Sequence, residues 1–210
     1  MQRGKFIVFE GGDGSGKDTF IARLKEKYAS RTDLVFTRDP GGTELGEAIR
    51  NLILSHSTKS ISVRAEILAF HTARAELVAS VIAPALAAGK SVISNRFELS
   101  AFAYQIYGRE HPELLPFVKQ LSEFVIQDCT PDMCIFLDVP PRLALERTRQ
   151  RPEEPSRFDE ESVAFHERVN GGYKKHLADF GQPVIVDSGR TIDEAWPIVE
   201  KAVESILPTL

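Results

Sequence analysis

Five short apolar runs punctuate the chain: Phe6–Phe9, Leu34–Phe36, Ser91–Ser94, Met133–Leu137 and Val184–Val186. Each carries Val, Ile or Phe, and none alternates strictly with polar residues. Strands covered on both faces, as in a parallel sheet, read this way. Between the runs the period lengthens to that of a helix. Phe20, Leu24 and Tyr28 follow the first run; Leu143 and Leu145 follow the fourth, in a helix ending before Pro152. Strand–helix alternation predicts an α/β domain in which a five-stranded parallel sheet carries helices on both faces.

Two helical segments are unusual. Residues 62–86 place Ile67, Phe70, Leu77 and Val81 off the stripe formed by Leu68, Val78 and Ile82. A helix apolar on two faces must bury both, which predicts packing on the sheet and on a partner subunit. Residues 158–180 hold Phe158, Phe165, Val169, Tyr173, Leu177 and Phe180 near helical spacing, interrupted by Gly171-Gly172. Each glycine costs a helix about 1 kcal/mol relative to Ala, and close approach of another backbone would account for the pair.

Composition narrows the function classes. With 210 residues the chain predicts a single domain, residues 1–210, large enough to need no disulfide or metal staple. A net charge of −4 without a basic stripe argues against a nucleic-acid partner, while a small anionic ligand needs only local positive charge. Cys129 and Cys134 fit no zinc spacing, and Cys134 reads as a core residue of its apolar run. Cysteine usage and the lack of a signal-like N-terminus predict a cytoplasmic protein. No apolar stretch of 18 residues is evident, so no membrane span is expected.

The candidate chemistry begins at the end of the first run. Gly11-Gly12-Asp13-Gly14-Ser15-Gly16-Lys17 separates a strand from a helical pattern. Glycines permit positive φ and close backbone approach, and free N–H groups at a helix N-terminus attract phosphate. This predicts a phosphate loop spanning Gly11 to Thr19, with Lys17 reaching the β- and γ-phosphates of ATP. The residue after the lysine is usually Ser or Thr, whose hydroxyl binds Mg²⁺; here it is Asp18, followed by Thr19.

Four further segments complete a pattern: Thr37-Arg38-Asp39-Pro40-Gly41-Gly42-Thr43; Phe70-His71-Thr72-Ala73-Arg74; Asn95-Arg96-Phe97 with Ser100 and Tyr104-Gln105; and Pro131-Asp132 leading to Phe136-Leu137-Asp138-Val139. With the phosphate loop they make the sequence resemble the thymidylate kinase family over nearly its whole length. The resemblance implies a three-layer P-loop kinase fold with a small lid, ATP and dTMP as substrates, Mg²⁺ as cofactor and a homodimer. It implies acceptor contacts from Asp13, Arg38, Phe70, Arg74, Arg96, Ser100 and Tyr104. Phe70 would stack on thymine, Arg74 would bond its carbonyl edge, and Asp13 would bind the 3′-hydroxyl.

Two departures stand together. Where the family usually has Asp-Arg at the third strand end, this chain has Asn95-Arg96; where it has a hydroxyl after the lysine, this chain has Asp18. The reading is a transposition: Asp18 holds the metal, directly or through water, and Asn95 orients a metal-bound water. In the segment 142–157, Arg147, Arg149, Arg151 and Arg157 flank a Pro- and Glu-containing loop. Gly14 occupies the loop position where some thymidylate kinases carry an arginine, so the resemblance points to the bacterial type, with Arg149, Arg151 or Arg157 of a lid near 147–157 joining Lys17 and Arg96 in catalysis. The alternatives are a kinase of another deoxynucleotide or of a deoxynucleoside, and a catalytically weakened nucleotide-binding homologue.

Overall fold

Each apolar run is a strand: β1 Phe6–Glu10, β2 Leu34–Arg38, β3 Ser91–Asn95, β4 Met133–Asp138 and β5 Gln182–Asp187. The computed structural model describes residues 3–55, 61–152, 154–180 and 182–207. All pairings are parallel, in the order β2-β3-β1-β4-β5. Register aligns the strand ends, with Phe9 beside Asn95, Asn95 beside Arg38 and Glu10 beside Phe136. The loops leaving β1, β2 and β3 therefore emerge side by side, where an open α/β sheet binds ligands.

The helices among the described residues are α1 Lys17–Lys27, α2 Glu44–Leu54, α3 Val63–Leu77, α4 Ala83–Ala87, α5 Glu98–Ala101, α6 Leu115–Ile126, α7 Pro141–Arg149, α8 Val163–His176 and α9 Ile192–Ile206. Successive β1 side chains enter opposite cores. Phe6 and Val8 meet Ile67, Phe70, Phe102 and Tyr173 on one face; Ile7 and Phe9 meet Phe20, Leu24 and Val199 on the other. Burial on both faces is why β1, β3 and β4 do not alternate in sequence, whereas the edge strands β2 and β5 are only partly covered, with Ile185 62% exposed.

Residues 62–86 are helical, as expected, but a π-helical turn, Val78–Ile82, joins α3 to α4. The wider turn shifts the inward face, so Val78 and Ile82 are buried while Val81 is only partly so. That shift reconciles the two apolar stripes. Leu68 remains 51% exposed. Contrary to the sequence expectation, Val63–Ala87 is long and apolar enough by length and mean hydropathy to cross a membrane. Yet 44% of its most apolar window lies inside the fold.

A second π-helical turn, Phe102–Gly108, follows α5, with Arg109 and His111 donating backbone N–H to the carbonyls of Tyr104 and Ile106. It packs against α8. That helix starts later than periodicity suggests: Ser162 caps it by accepting from Phe165 N, and Phe158 and Asp159 lie in the preceding turn. Asp159 serves that turn, accepting from Ser156 N and Oγ, instead of the first turn of the helix.

Gly172 sits at the closest point of the α8 packing. A Cβ there would lie 2.9 Å from Tyr107 Cβ and 3.0 Å from Ala103 Cα, whereas a Cβ at Gly171 meets nothing within 4 Å. Gly171→Ala should therefore stabilise the protein by about 0.5–1 kcal/mol through helix propensity. Gly172→Ala should destabilise it by about 1–3 kcal/mol through overpacking. Denaturant unfolding of the two variants checks the opposite signs; equal shifts would contradict the assignment.

Candidate active site

The loop after β1 is built on three left-handed glycines, Gly11, Gly14 and Gly16, with φ of 143°, 79° and 87°. A Cβ on Gly11 would sit 2.7 Å from Leu137 O, and one on Gly14 2.2 Å from Ala144 O. Both positions are closed to side chains by neighbouring backbone as well as by φ. Gly16 is the N-cap of α1, so the first N–H groups of that helix have no intrahelical acceptor and face the loop. Ser188 Oγ donates to Ser15 O at 2.6 Å, tying the loop to the turn after β5; nothing in the sequence marked that residue. Lys17 is buried and donates Nζ to Gly11 O, Gly12 O and Ser15 Oγ at 2.9, 2.7 and 3.1 Å. Burial, and then the nearby Arg96, lower its pKa to about 7.

Arg96 leaves β3 with φ 68°, a conformation that costs a non-glycine residue about 1–3 kcal/mol and persists only where surroundings fix it. Its guanidinium donates to Asp13 Oδ1 at 2.6 Å, Gly11 O at 2.8 Å, Tyr173 OH at 2.7 Å, and Ser100 Oγ and Tyr104 OH at 3.1 Å. Tyr104 donates to Asp13 Oδ2 at 2.7 Å. Burial resists ionisation of Asp13, but the charges of Arg96 and Lys17 and these hydrogen bonds outweigh it, holding the carboxyl well below the usual range. Ser100 lines the cavity, but its hydroxyl turns inward to Glu10 Oε2 at 2.6 Å.

The phosphate loop and these residues border one cavity of about 880 Å³. Arg38 reaches its rim from the end of β2, its guanidinium held by both carboxylate oxygens of Glu47 at 3.1 and 2.6 Å. Phe70 and Arg74, one turn apart on α3, both face the cavity. Arg74 is buried, only 2% exposed. Its Nε donates to Asp39 Oδ2 and its Nη2 to Phe97 O, whereas Nη1 is buried without a protein partner. A buried, unmatched guanidinium N–H beside a cavity asks for an acceptor from a ligand.

Among the lining residues to which sequence reasoning gave no role are Arg50 and Gln105. Arg50 projects from α2 and donates to Pro40 O at 3.0 Å; burial, then Arg38 and Arg96, lower its pKa, as expected of a cation gathered with like charges. Its spacing from Glu47, three residues earlier on α2, is the signal that places it on the side of Arg38. Gln105 donates to the buried carboxylate of Glu66 at 2.9 Å.

Asp18 and Asn95, far apart in sequence, touch: Asn95 Nδ2 donates to Asp18 Oδ1 at 2.7 Å. Asn95 Oδ1 is buried with no protein donor. Among the described residues no three His, Cys, Asp or Glu side chains gather into a metal cage. One carboxylate and one amide oxygen beside a phosphate loop fit a hard cation that takes most of its ligands from phosphate and water.

The lid arginines separate into distinct environments. Arg147 clasps the turn after β5 through Ser188 O at 2.6 Å. Arg149 is exposed and does not line the cavity; Arg151 is exposed and does. Residue 153 lies outside the described residues. Arg157 is docked away from the cavity, donating to Glu66 Oε2 and Ile53 O and covering the Phe158 ring at 4.4 Å.

Comparison with known proteins agrees with this geometry. A family model described as thymidylate kinase matches residues 9–196. A protein of Cupriavidus metallidurans named thymidylate kinase is 41% identical over 209 residues, covering 99% of this chain and all of its own. Proteins of the same name from a Shewanella species and Staphylococcus haemolyticus are 39% and 36% identical, covering 90% and 96% of this chain and 90% and 97% of their own. Likeness that runs end to end, on a parallel sheet with a phosphate loop after its central strand, means that the chain belongs to the thymidylate kinase family.

Proposed function

We infer that the chain transfers the γ-phosphoryl group of ATP to dTMP, giving ADP and dTDP. The observation that carries this reading is one cavity with an amide-lined phosphate loop on one wall and Arg38, Arg50, Arg74 and Arg96 on the other. Two polyanions can meet there with their charges covered. Lys17 and the amides of residues 11–19 hold the donor. Arg38, Arg50 and Arg96 hold the acceptor phosphate, Arg74 Nη1 meets a carbonyl of the base, Phe70 packs on its face, and Asp13 and Tyr104 lie toward the sugar. Ser100, already bonded to Glu10 and Arg96, supports Arg96 instead of meeting the base. Of the lid arginines, Arg151 is the one placed to reach the migrating phosphoryl; Arg149 is second, and Arg157 is structural.

Asp18 with Asn95, directly or through water, would hold Mg²⁺, which when bound neutralises phosphate charge. Transfer is direct and in line, and it needs no covalent enzyme intermediate. Two free cysteines support a cytoplasmic setting. The exposed Leu68 on α3 and Phe117 and Phe124 on the adjoining α6 support a homodimer through that face.

ADP release measured with each common nucleoside monophosphate tests the reading. dTMP should be turned over fastest, and Arg151→Ala should lower kcat about 10²- to 10³-fold. Faster turnover of another monophosphate would overturn the substrate assignment.

The Asp18–Asn95 contact predicts coupling. Asn95→Asp alone sets two carboxylates against each other, and Asp18→Thr alone removes the one carboxylate of this pair. Each should lower kcat about 10- to 100-fold, and the double variant should recover most of the loss. A double variant no better than the worse single would refute the transposition.

Lys17 predicts a proton signature. Its folded pKa of about 7 leaves it mostly neutral at pH 8, and phosphate oxygens restore the charged form. ATP binding at pH 8 should take up about one proton, measured calorimetrically in buffers of different ionisation enthalpy; zero uptake would sink the assignment.

A further inference from the structure

Glu10 ends β1 and is completely buried. The reaction outlined above gives it no task, yet it receives three hydrogen bonds. Its Oε1 accepts from Phe97 N at 2.9 Å and Ser100 N at 3.3 Å, and its Oε2 accepts from Ser100 Oγ at 2.6 Å. All three donors belong to the stretch that follows Arg96. The same stretch is fixed from its other end, because Arg96 N donates to Phe9 O at 2.8 Å and Ser94 Oγ donates to Arg96 O at 2.7 Å. The left-handed backbone of Arg96 is thus stapled on both sides to the ends of β1 and β3.

The side-chain bonds carry more information than the staple. Ser100 has one hydroxyl hydrogen and donates it to Glu10. In the 2.7 Å contact between Ser100 Oγ and Tyr173 OH, Tyr173 must then be the donor. Tyr173 OH accepts in turn from Arg96 Nη1. A carboxylate at Glu10 therefore orders a chain running from the Arg96 guanidinium through Tyr173 and Ser100 to Glu10, in which both hydroxyl hydrogens are assigned. Ser100 Oγ also lies 3.1 Å from Arg96 Nη1, whose two hydrogens are shared among Ser100 Oγ, Tyr173 OH and Gly11 O.

We propose that Glu10 is a positioning residue for Arg96: it staples the Arg96 turn to the central strand and sets the direction of the hydrogen-bond chain that orients the guanidinium. The inference rests on reading Arg96 as a substrate-facing arginine. Glu10 touches neither cavity nor loop amides; it acts through Ser100 and Tyr173.

Glu10→Gln tests it. The amide oxygen keeps both backbone bonds, but the amide nitrogen now donates to Ser100. Ser100 must turn its hydrogen toward Tyr173, and the buried Tyr173 hydroxyl loses its acceptor. Tyr173→Phe, which removes the middle of the chain and leaves the backbone staple whole, guards against a folding failure in the first variant. Two measurements are made on free protein and with substrates. In the free protein, Arg96 side-chain N–H signals, assigned through Arg96→Lys, should exchange with solvent at least tenfold faster in both variants. With substrates, kcat/KM for dTMP should fall at least tenfold while the Kd for ATP stays within about threefold. Unchanged Arg96 exchange in both variants, or equal losses of ATP affinity and dTMP efficiency that track a lower Tm, would overturn the proposal. Should the parent protein itself fail to phosphorylate dTMP, the proposed function falls, and the exchange measurement still decides the role of Glu10.

Discussion

An ion pair between Asp13 and Arg96 joins the loop leaving the central strand to the turn leaving its neighbour. Neither charge is tolerable alone in this surrounding, because desolvation of an unmatched ion outweighs most single contacts. Once paired, they organise everything nearby. Tyr104 completes the carboxylate, Tyr173 and Ser100 complete the guanidinium, and the π-helical turn and α8 are drawn against the loop through those two tyrosines. The geometry of the donor wall and that of the acceptor wall are thus a single object.

This arrangement explains how an acidic chain accommodates two anionic nucleotides. Net charge says little about a cavity whose field is set by a few charged groups within low-dielectric walls. Around it, Lys17 and Arg50 both have lowered pKa values, with burial as the leading cause and neighbouring cations adding to it. A site that strains its own cations in this way gains when phosphate arrives, because the incoming charge relieves repulsion already present.

Much of the fold was legible in the sequence: side chains buried on both faces of a strand leave unbroken apolar runs. The central strands follow from that; the phosphate loop was legible from its glycines and Lys17, and the helix 62–86 from its two apolar faces. The π-helical turn in the long helix was not legible, since periodicity reports which residues face inward on average and not where one turn widens. Arg157 shows a second limit. Its sequence neighbours place it in a lid, but its guanidinium pairs with Glu66, ninety-one residues away and buried. Arg50 and Ser188 show a third: each acts on the site from a helix or turn that carries no recognisable motif. Asp18 and Asn95 were the reverse case. Two departures from a familiar pattern, read together from the sequence, are one hydrogen-bonded contact in the fold.

Gly14 lies with its α-carbon face against the carbonyl of Ala144, leaving no room even for a methyl group. An ancestor or engineered descendant wishing to carry a cation on the loop itself would have to push α7 outward first, and α7 leads directly into the segment bearing Arg151. The space at that loop position is therefore set by the placement of α7 and not by the loop alone.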